Sequence, residues 1–519
     1  MVIKRRLVLV PKYGLVILLA STLGITLFSL CKYQPDPGLF DKLIDDSQFV
    51  PEITLNFSDD MLDENFELCL HGPFTYQGNM NHSLKDMYHN ISMRKDYKTE
   101  QHKERHPLYK VVLEFADLMS SLNIEAVLIE PSMLFCMLSP SNKELLTKRK
   151  FELKIESNSK QVVTFGIFEN YTLLLEKAEI QAQIKNSNFS VEVIQEPLKD
   201  WMAKSSSDLF ISHLFFSKNL FTIHVVVFYS RGTYLWHSTL KNLLYENIPS
   251  LEGLYFVEHD SAYDSLTAVF PNVTDKALKN VSIPSNPQYF LFEMASSRFL
   301  ECNSSIASAF SKHNGADVQK KSRSPVELSR FKKRTVVALR QLKAKLNPLL
   351  IHFWIWSGTM LGWYRECGVI PYTSDVDFAA WAEEVDNLDQ VVKLFSDDKH
   401  LKLKQRMGIV EQGLELNLNC YKVRVDLFFL YKESNGTWYA GHRPSKGYYF
   451  KYHHPNFTLC SAELLGHKVM VPCQTEGVIA MEYGAKWMVP VAKWNYEHSI
   501  WNRGPNIYWE KDMLKTVYT

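Results

Sequence analysis

Asp375 and Asp377 form an Asp-x-Asp pair at the head of the run DVDFAAW, and a third acid, Asp426, sits inside the apolar run VRVDLFFLY. Alternate residues of a strand face one side, so an extended backbone makes Asp375 and Asp377 converge. The surroundings of Asp426 predict a second buried strand, and if the two strands are neighbours the three acids form a triad. Two carboxylates about 5 Å apart repel by roughly 3 kcal/mol at an effective dielectric of about 20. Three together need a cation or protonation to relieve them. A hard divalent ion, Mg2+ or Mn2+, with oxygen ligands and a substrate phosphate completing its shell, meets that need. Asp375, Asp377 and Asp426 are therefore the expected catalytic and metal-holding residues.

Upstream, Phe353-Trp354-Ile355-Trp356 reads as a buried strand that ends in Ser357-Gly358-Thr359 and a helix start. Such a turn leaves backbone N–H groups and a hydroxyl facing outward, which suits a phosphate oxygen. Many strand-to-helix turns use Gly and Ser for geometry alone, and Asp at a strand end is often a turn former. The combination is more specific: a Ser-Gly turn, paired acids and one later acid resemble the nucleotidyltransferase superfamily.

The elements that must hold these residues are legible around them. Ser324, Pro325 and Glu327 are an N-cap, a first-turn proline and a capping-box partner for a helix running to about Leu346. Its basic residues, Arg330, Lys332, Lys333, Arg334, Arg340, Lys343 and Lys345, read as a solvated face. A composition shift over 310–325 marks the best internal boundary, separating a domain over 108–310 from one over 324–519. In the first, apolar residues at helical spacing over 108–122 precede strand-like runs at 126–129 and 220–229. The fold class is α/β (α+β) in layers.

Four smaller features complete this half. His442 and Lys446 read as solvent-facing hairpin residues. Trp363, Trp487 and Trp494 are candidates for stacking on a base or sugar, with core packing expected for at least two. Gly484 after Tyr483 reads as a helix C′ residue. Cys460 and Cys473 are placed to close a short disulfide loop.

Composition bounds the rest. The chain has 519 residues, 46% of them hydrophobic and 22% charged, and 58 basic against 57 acidic side chains leave a formal charge of +1. That balance gives no global electrostatic reason to bind nucleic acid. Lys4, Arg5, Arg6 and Lys12 precede an uncharged run over 13–31, long enough to cross a bilayer as a helix. The basic flank predicts a type II signal anchor with 1–12 cytoplasmic, and 32–107 as stalk and start of the lumenal region. Ten Asn-x-Ser/Thr triplets, at Asn56, Asn81, Asn90, Asn170, Asn188, Asn272, Asn280, Asn303, Asn435 and Asn456, fit a lumenal body. None of the seven cysteines beyond the anchor forms a CxxC or zinc spacing, and an odd count leaves at least one unpaired within the chain.

The runs SGTMLGWYRECGVIPYTSDVDFAAW, VRVDLFFLY, FTLCSAELLGHKVMVPC and EYGAKWMVPVAKWNY, with TYLWH and SRFLEC upstream, resemble the fukutin family of LicD-like phosphotransferases. The resemblance is dense from about Gly232 onward, thinner over 108–230, and absent before that. It implies a Golgi type II membrane protein with a stem domain and a nucleotidyltransferase-like catalytic domain built on a mixed sheet. The implied activity is transfer of ribitol 5-phosphate from CDP-ribitol to a protein-linked O-mannosyl glycan. Asp375, Asp377 and Asp426 would then hold the metal and donor diphosphate, and Ser357, Gly358, Thr359 and Arg365 would contact the donor phosphates. Phe378-Ala379 stands where the family usually has Leu-Gly. The implied partners are a CDP-activated alditol, the glycan acceptor, the Golgi membrane, and a second copy or other glycosyltransferases. Phosphocholine or glycerol-phosphate transfer and a non-catalytic lumenal scaffold are the alternatives. Three retained acids speak against the scaffold, since buried like charges are costly without a cation to bind.

Overall fold

The computed structural model describes residues 8–10, 14–16, 107–149, 161–202, 208–240, 259–270, 280–396, 398–491, 494–498 and 501–519. The chain divides into two units, Met1–Pro51 and Glu52–Thr519. In the first, β1 (Val8–Val10) pairs antiparallel with β2 (Gly14–Val16). The expected anchor lies, β2 apart, outside the described residues, as do almost all of the stalk and the sequons at Asn56, Asn81, Asn90 and Asn272. Among the described residues no helix is long and apolar enough to cross a membrane.

The second unit is mixed α/β, with two mixed sheets. In the first sheet, β3 (Val127–Leu128), β4 (Gln161–Phe168), β5 (Ser190–Pro197), β6 (Leu209–Lys218) and β7 (Phe221–Arg231) lie in the order β3-β4-β7-β6-β5. Only β4 and β7 run parallel, and β8 (Tyr234–His237) and β9 (Ser261–Tyr263) extend the sheet from β7. Residues of β6 and β7 are buried almost without alternation, the pattern of strands covered on both faces. The helix Pro107–Ser121 adds Val111, Val112, Phe115 and Met119 to the same core, as its spacing predicts. A short pair, β10 (Ala268–Val269) and β11 (Ile283–Pro284), follows.

Residues 310–325 are mostly helical. A helix spans Ser304–Lys321, started by Asn303, whose side chain accepts from the backbone N–H groups of Ser305 and Ile306. The next helix, Pro325–Leu346, carries the predicted capping box in full. It packs on the second sheet with Phe331, Ala338, Leu339 and Leu342 buried.

That sheet contains β12 (Phe353–Ile355), β13 (Asp375–Trp381), β14 (Lys402–Ile409), β15 (Gln412–Cys420), β16 (Val423–Glu433), β17 (Gly436–Arg443) and β18 (Tyr448–His454). A hairpin of β19 (Leu459–Leu464) and β20 (His467–Pro472) comes next, and β21 (Arg503–Tyr508) returns to the sheet beside β18. The order is β12-β13-β16-β17-β18-β21, with β15 pairing the first half of β16 and β14 pairing β15. Within it β13 and β16 run parallel.

The two sheets are tied through the β19–β20 hairpin. Ser461 exchanges backbone hydrogen bonds with Arg298 and Leu300, and Arg231 bridges Glu301 and Glu463. Beneath them, Lys468 donates to Glu293 at 2.7 Å with both side chains buried, and Lys343 pairs with Asp264. Lys343 is therefore part of the seam and not of a solvated helix face.

Candidate active site

The parallel register sets Asp375 beside Arg424 and Asp377 beside Asp426. The antiparallel register of β15 adds Glu415 and Asn417 to the same face, Asn417 directly opposite Asp426. One sheet face thus carries a polar row, while Val376, Phe378, Val425, Leu427, Leu416 and Leu418 are buried on the other. The period of two that puts the leucines inside is what puts the acids together.

The three acids are not equivalent. Arg424 pairs with Asp375 and, at 3.0 Å, with Asp426 Oδ2. Thr373 donates to Asp375 at 2.7 Å, and Asn417 donates to Asp426 at 2.6 Å. No described donor reaches the Asp377 carboxylate, although its backbone is held tightly. Its N–H donates to Thr359 Oγ1 at 2.8 Å, and its carbonyl accepts from the Trp356 N–H at 3.0 Å. Burial and the charges of Asp375, Asp426 and Glu482 push the Asp377 pKa well above the usual carboxylate range. Burial also pushes Asp426 up to about 6, with Arg424 opposing the rise. Burial and the Asp426 charge push Glu415 well above the usual carboxylate range. The site holds more carboxylates than its one guanidinium neutralises.

The helix Ser357–Glu366 starts directly over these acids. Ser357 has φ of 43°, a left-handed conformation that costs a non-glycine residue about 1–2 kcal/mol. Its hydroxyl donates to Glu482 on the helix Thr475–Tyr483 and lies 3.1 Å from the Tyr483 hydroxyl. Gly358 makes the closest approach: a Cβ there would stand 3.1 Å from Asp377 Oδ2 and 3.9 Å from the Tyr483 hydroxyl. Its missing side chain leaves a cradle between those two oxygens.

Of the residues expected from sequence, Asp375, Asp377, Asp426, Ser357, Gly358 and Thr359 meet here, and Thr359 bonds the Asp377 backbone. Arg365 is placed differently. It is buried with its guanidinium over the Phe310 ring at 4.3 Å, donating to Glu366 and to the Trp487 carbonyl. Together with the Cys302–Cys367 disulfide it docks the cradle helix on the helix Ser304–Lys321. The cation facing the acids is Arg424. His442 is likewise a core residue, buried and bonded through Nε2 to the Gly413 carbonyl at 2.6 Å, while Lys446 is exposed in a turn. Its strand is covered by Tyr449 and Tyr518, so the hairpin reading failed on the side that faces β15. Trp363 is buried, Trp487 packs on Tyr364, and Trp494 lies against Tyr483 with ring centroids 4.7 Å apart. Gly484 ends its helix at φ of 74°, and Cys460–Cys473 is a disulfide, both as expected.

The expected metal triad takes a different form. Among the described residues no three His, Cys, Asp or Glu side chains are arranged to hold a metal ion. Arg424 sits between two of the acids instead. The donor set nevertheless suits a hard cation: the three acids are carboxylates, one of them lacks a donor among the described residues, and the Arg424 side chain is 57% exposed.

Residues 350–474 match the LicD/FKTN/FKRP nucleotidyltransferase domain, and residues 78–331 match the fukutin N-terminal region. The acids and the cradle of Gly358 thus stand in a nucleotidyltransferase domain of the LicD type. The chain is 33% identical over 417 residues to ribitol-5-phosphate transferase FKTN of Homo sapiens, covering 77% of this chain and 86% of that one. It is 36% identical over 291 residues to the Mus musculus protein of the same name, covering 55% and 60%. An uncharacterised Caenorhabditis elegans protein is 31% identical over 253 residues, covering 46% and 61%. The chain belongs to the fukutin family.

Proposed function

We propose that the protein transfers ribitol 5-phosphate from CDP-ribitol to a hydroxyl of a protein-linked O-mannosyl glycan. The observation that carries this reading is the row Asp375, Asp377 and Asp426 under the head of the Ser357–Glu366 helix. A helix N-terminus with free N–H groups attracts phosphate, and with no side chain on Gly358 that N-terminus can be approached beside Asp377. The relatives named as ribitol-5-phosphate transferases supply the donor class.

In this reading the donor diphosphate lies over Gly358 and the acceptor hydroxyl approaches the phosphorus that bears the ribitol. The new O–P bond forms as the bond to CMP breaks, and CMP leaves with the electron pair. Positioning and charge stabilisation account for most of the acceleration in such transfers. Arg424 supplies one positive charge. Asp375, Asp377 and Asp426 would hold Mg2+ or Mn2+ once Arg424 yields its place, and that ion would neutralise charge on the diphosphate. Thr359 holds the Asp377 backbone and Asn417 holds the Asp426 carboxylate.

A Golgi location with a lumenal body accords with two features. Cys302–Cys367 and Cys460–Cys473 are disulfides, which persist in oxidising compartments. The sequons at Asn170, Asn188, Asn303, Asn435 and Asn456 are exposed. Association with other glycosyltransferases or a second copy belongs to the same reading.

The test is CMP release by the full chain with a phosphorylated O-mannosyl glycopeptide, comparing CDP-ribitol, CDP-glycerol and CDP-choline with and without Mg2+ or Mn2+. Metal-dependent release with CDP-ribitol that disappears in Asp377→Ala is expected. Release only with another donor reassigns the substrate, and no release with any donor refutes the transferase.

A further inference from the structure

We propose that Ser357 and Glu482 form the proton-accepting pair for the attacking hydroxyl, Ser357 touching the acceptor and Glu482 acting through it as a positioning residue. The inference rests on the transferase reading above.

A serine hydroxyl has one proton to donate. Ser357 spends it on Glu482 Oε1, so toward the cradle its oxygen is an acceptor. Beside it, Asp377 Oδ2 and the Tyr483 hydroxyl are the two atoms that a Cβ on Gly358 would meet, at 3.1 and 3.9 Å. The Tyr483 hydroxyl, 3.1 Å away, donates to one lone pair of Ser357 Oγ and leaves the second for an acceptor hydroxyl. The left-handed backbone of Ser357 is kept although an unstrained helix start would be less costly. Its two hydrogen-bonding neighbours, Glu482 and Tyr483, come from the Thr475–Tyr483 helix, distant in sequence.

Glu482 is suited to receive the proton. It is 1% exposed, and its second oxygen, Oε2, is buried with no hydrogen-bond partner among the described residues. Among the described residues the groups facing it are Ser357, Tyr439, Tyr483 and the negative field of Asp377, with no cation. Burial pushes its pKa up to about 7, tempered by the hydroxyls around it, so the carboxylate takes a proton readily. Asp375 and Asp426 are less available because Arg424 occupies both.

The step balances. As the acceptor oxygen bonds to phosphorus, its proton moves to Ser357 Oγ and the Ser357 proton moves to Glu482 Oε1. Ser357 ends neutral, Glu482 ends as a carboxylic acid, and the electron pair of the broken P–O bond leaves with CMP. Glu482 then returns its proton to solvent through Ser357.

The test compares the full chain with Glu482→Gln, Ser357→Ala and the double variant, using CDP-ribitol and the glycopeptide. Each single variant is expected to lower kcat by about 10²- to 10⁴-fold with the donor KM nearly unchanged. The double variant is expected to fall no further than the worse single one, the signature of residues acting as a unit. Wild-type kcat in Ser357→Ala, or multiplicative losses in the double variant, overturns the pair and leaves the transferase reading standing. Ser357→Ala removes only a hydroxyl, so it decides the matter even if Glu482→Gln fails to fold. Wild-type chain that releases no CMP with any donor overturns both.

Discussion

Asp377 and Asp426 are register partners on adjacent parallel strands, so two carboxylates are carried side by side on one sheet face. Arg424, two residues before Asp426, compensates that residue and Asp375 but leaves Asp377 without a donor among the described residues. The site is folded in a state of unrelieved negative charge, and its chemistry follows from what relieves it.

Removing that charge is expected to separate stability from activity. Asp377→Asn abolishes transfer and is at least as stable as the wild type, with a gain that grows as pH rises and the Asp377 carboxyl ionises, because a neutral amide then replaces a buried ion that repels its neighbours. Turnover combined with a denaturant midpoint is the measurement. An active or destabilised variant contradicts this account of Asp377.

Arg424 stands in for a cation. Arg424→Ala is expected to cost about 1 kcal/mol in metal-free buffer, the modest value reflecting its half-exposed side chain. Millimolar Mg2+ or Mn2+ should recover the loss and stabilise the variant more than the wild type, since the guanidinium no longer competes for Asp375 and Asp426. Thermal melting with and without the ion reads this directly. Equal metal responses in the two proteins remove Arg424 from the site's charge balance.

At the seam between the sheets, Lys468 and Glu293 are buried partners. Lys468→Ala is expected to cost about 3–5 kcal/mol, because it strands the Glu293 carboxylate without its cation. Adding Glu293→Gln should return part of that cost. Chemical denaturation of the two variants checks the sign, and a double variant weaker than the single one refutes the pairing.

His442 predicts a pH dependence. Burial lowers its pKa to about 4, below the unfolded value near 6.5. A depressed imidazole contributes stability that is present above the unfolded pKa and lost as pH falls toward the folded one. At pH 5 the loss from this one residue is about 2 kcal/mol relative to pH 7. His442→Gln lacks the titration, so the stability gap between variant and wild type should shift by that amount in favour of the variant at pH 5. A gap independent of pH shows that the imidazole is not held neutral.

The sequence by itself determined the local parts of this site. Asp-x-Asp on a strand, an acid within an apolar strand, the capping box of Ser324 and Glu327, and the positive-φ glycine end at Gly484 are set by periodicity and short-range geometry, and all of them stand in the fold. The polar alternation of Glu415, Asn417 and Asn419 among leucines was equally readable, and it marks the strand that lines the acids. Tertiary structure alone decided which side chains meet across elements. Arg424 reached the acids and Arg365 did not, because strand register aims the first and the Phe310 contact with the Cys302–Cys367 disulfide draws the second away. Glu482 joined Ser357 over a separation of 125 residues. Spacing along a chain sets which face a residue occupies, but the docking of one element on another sets what that face touches.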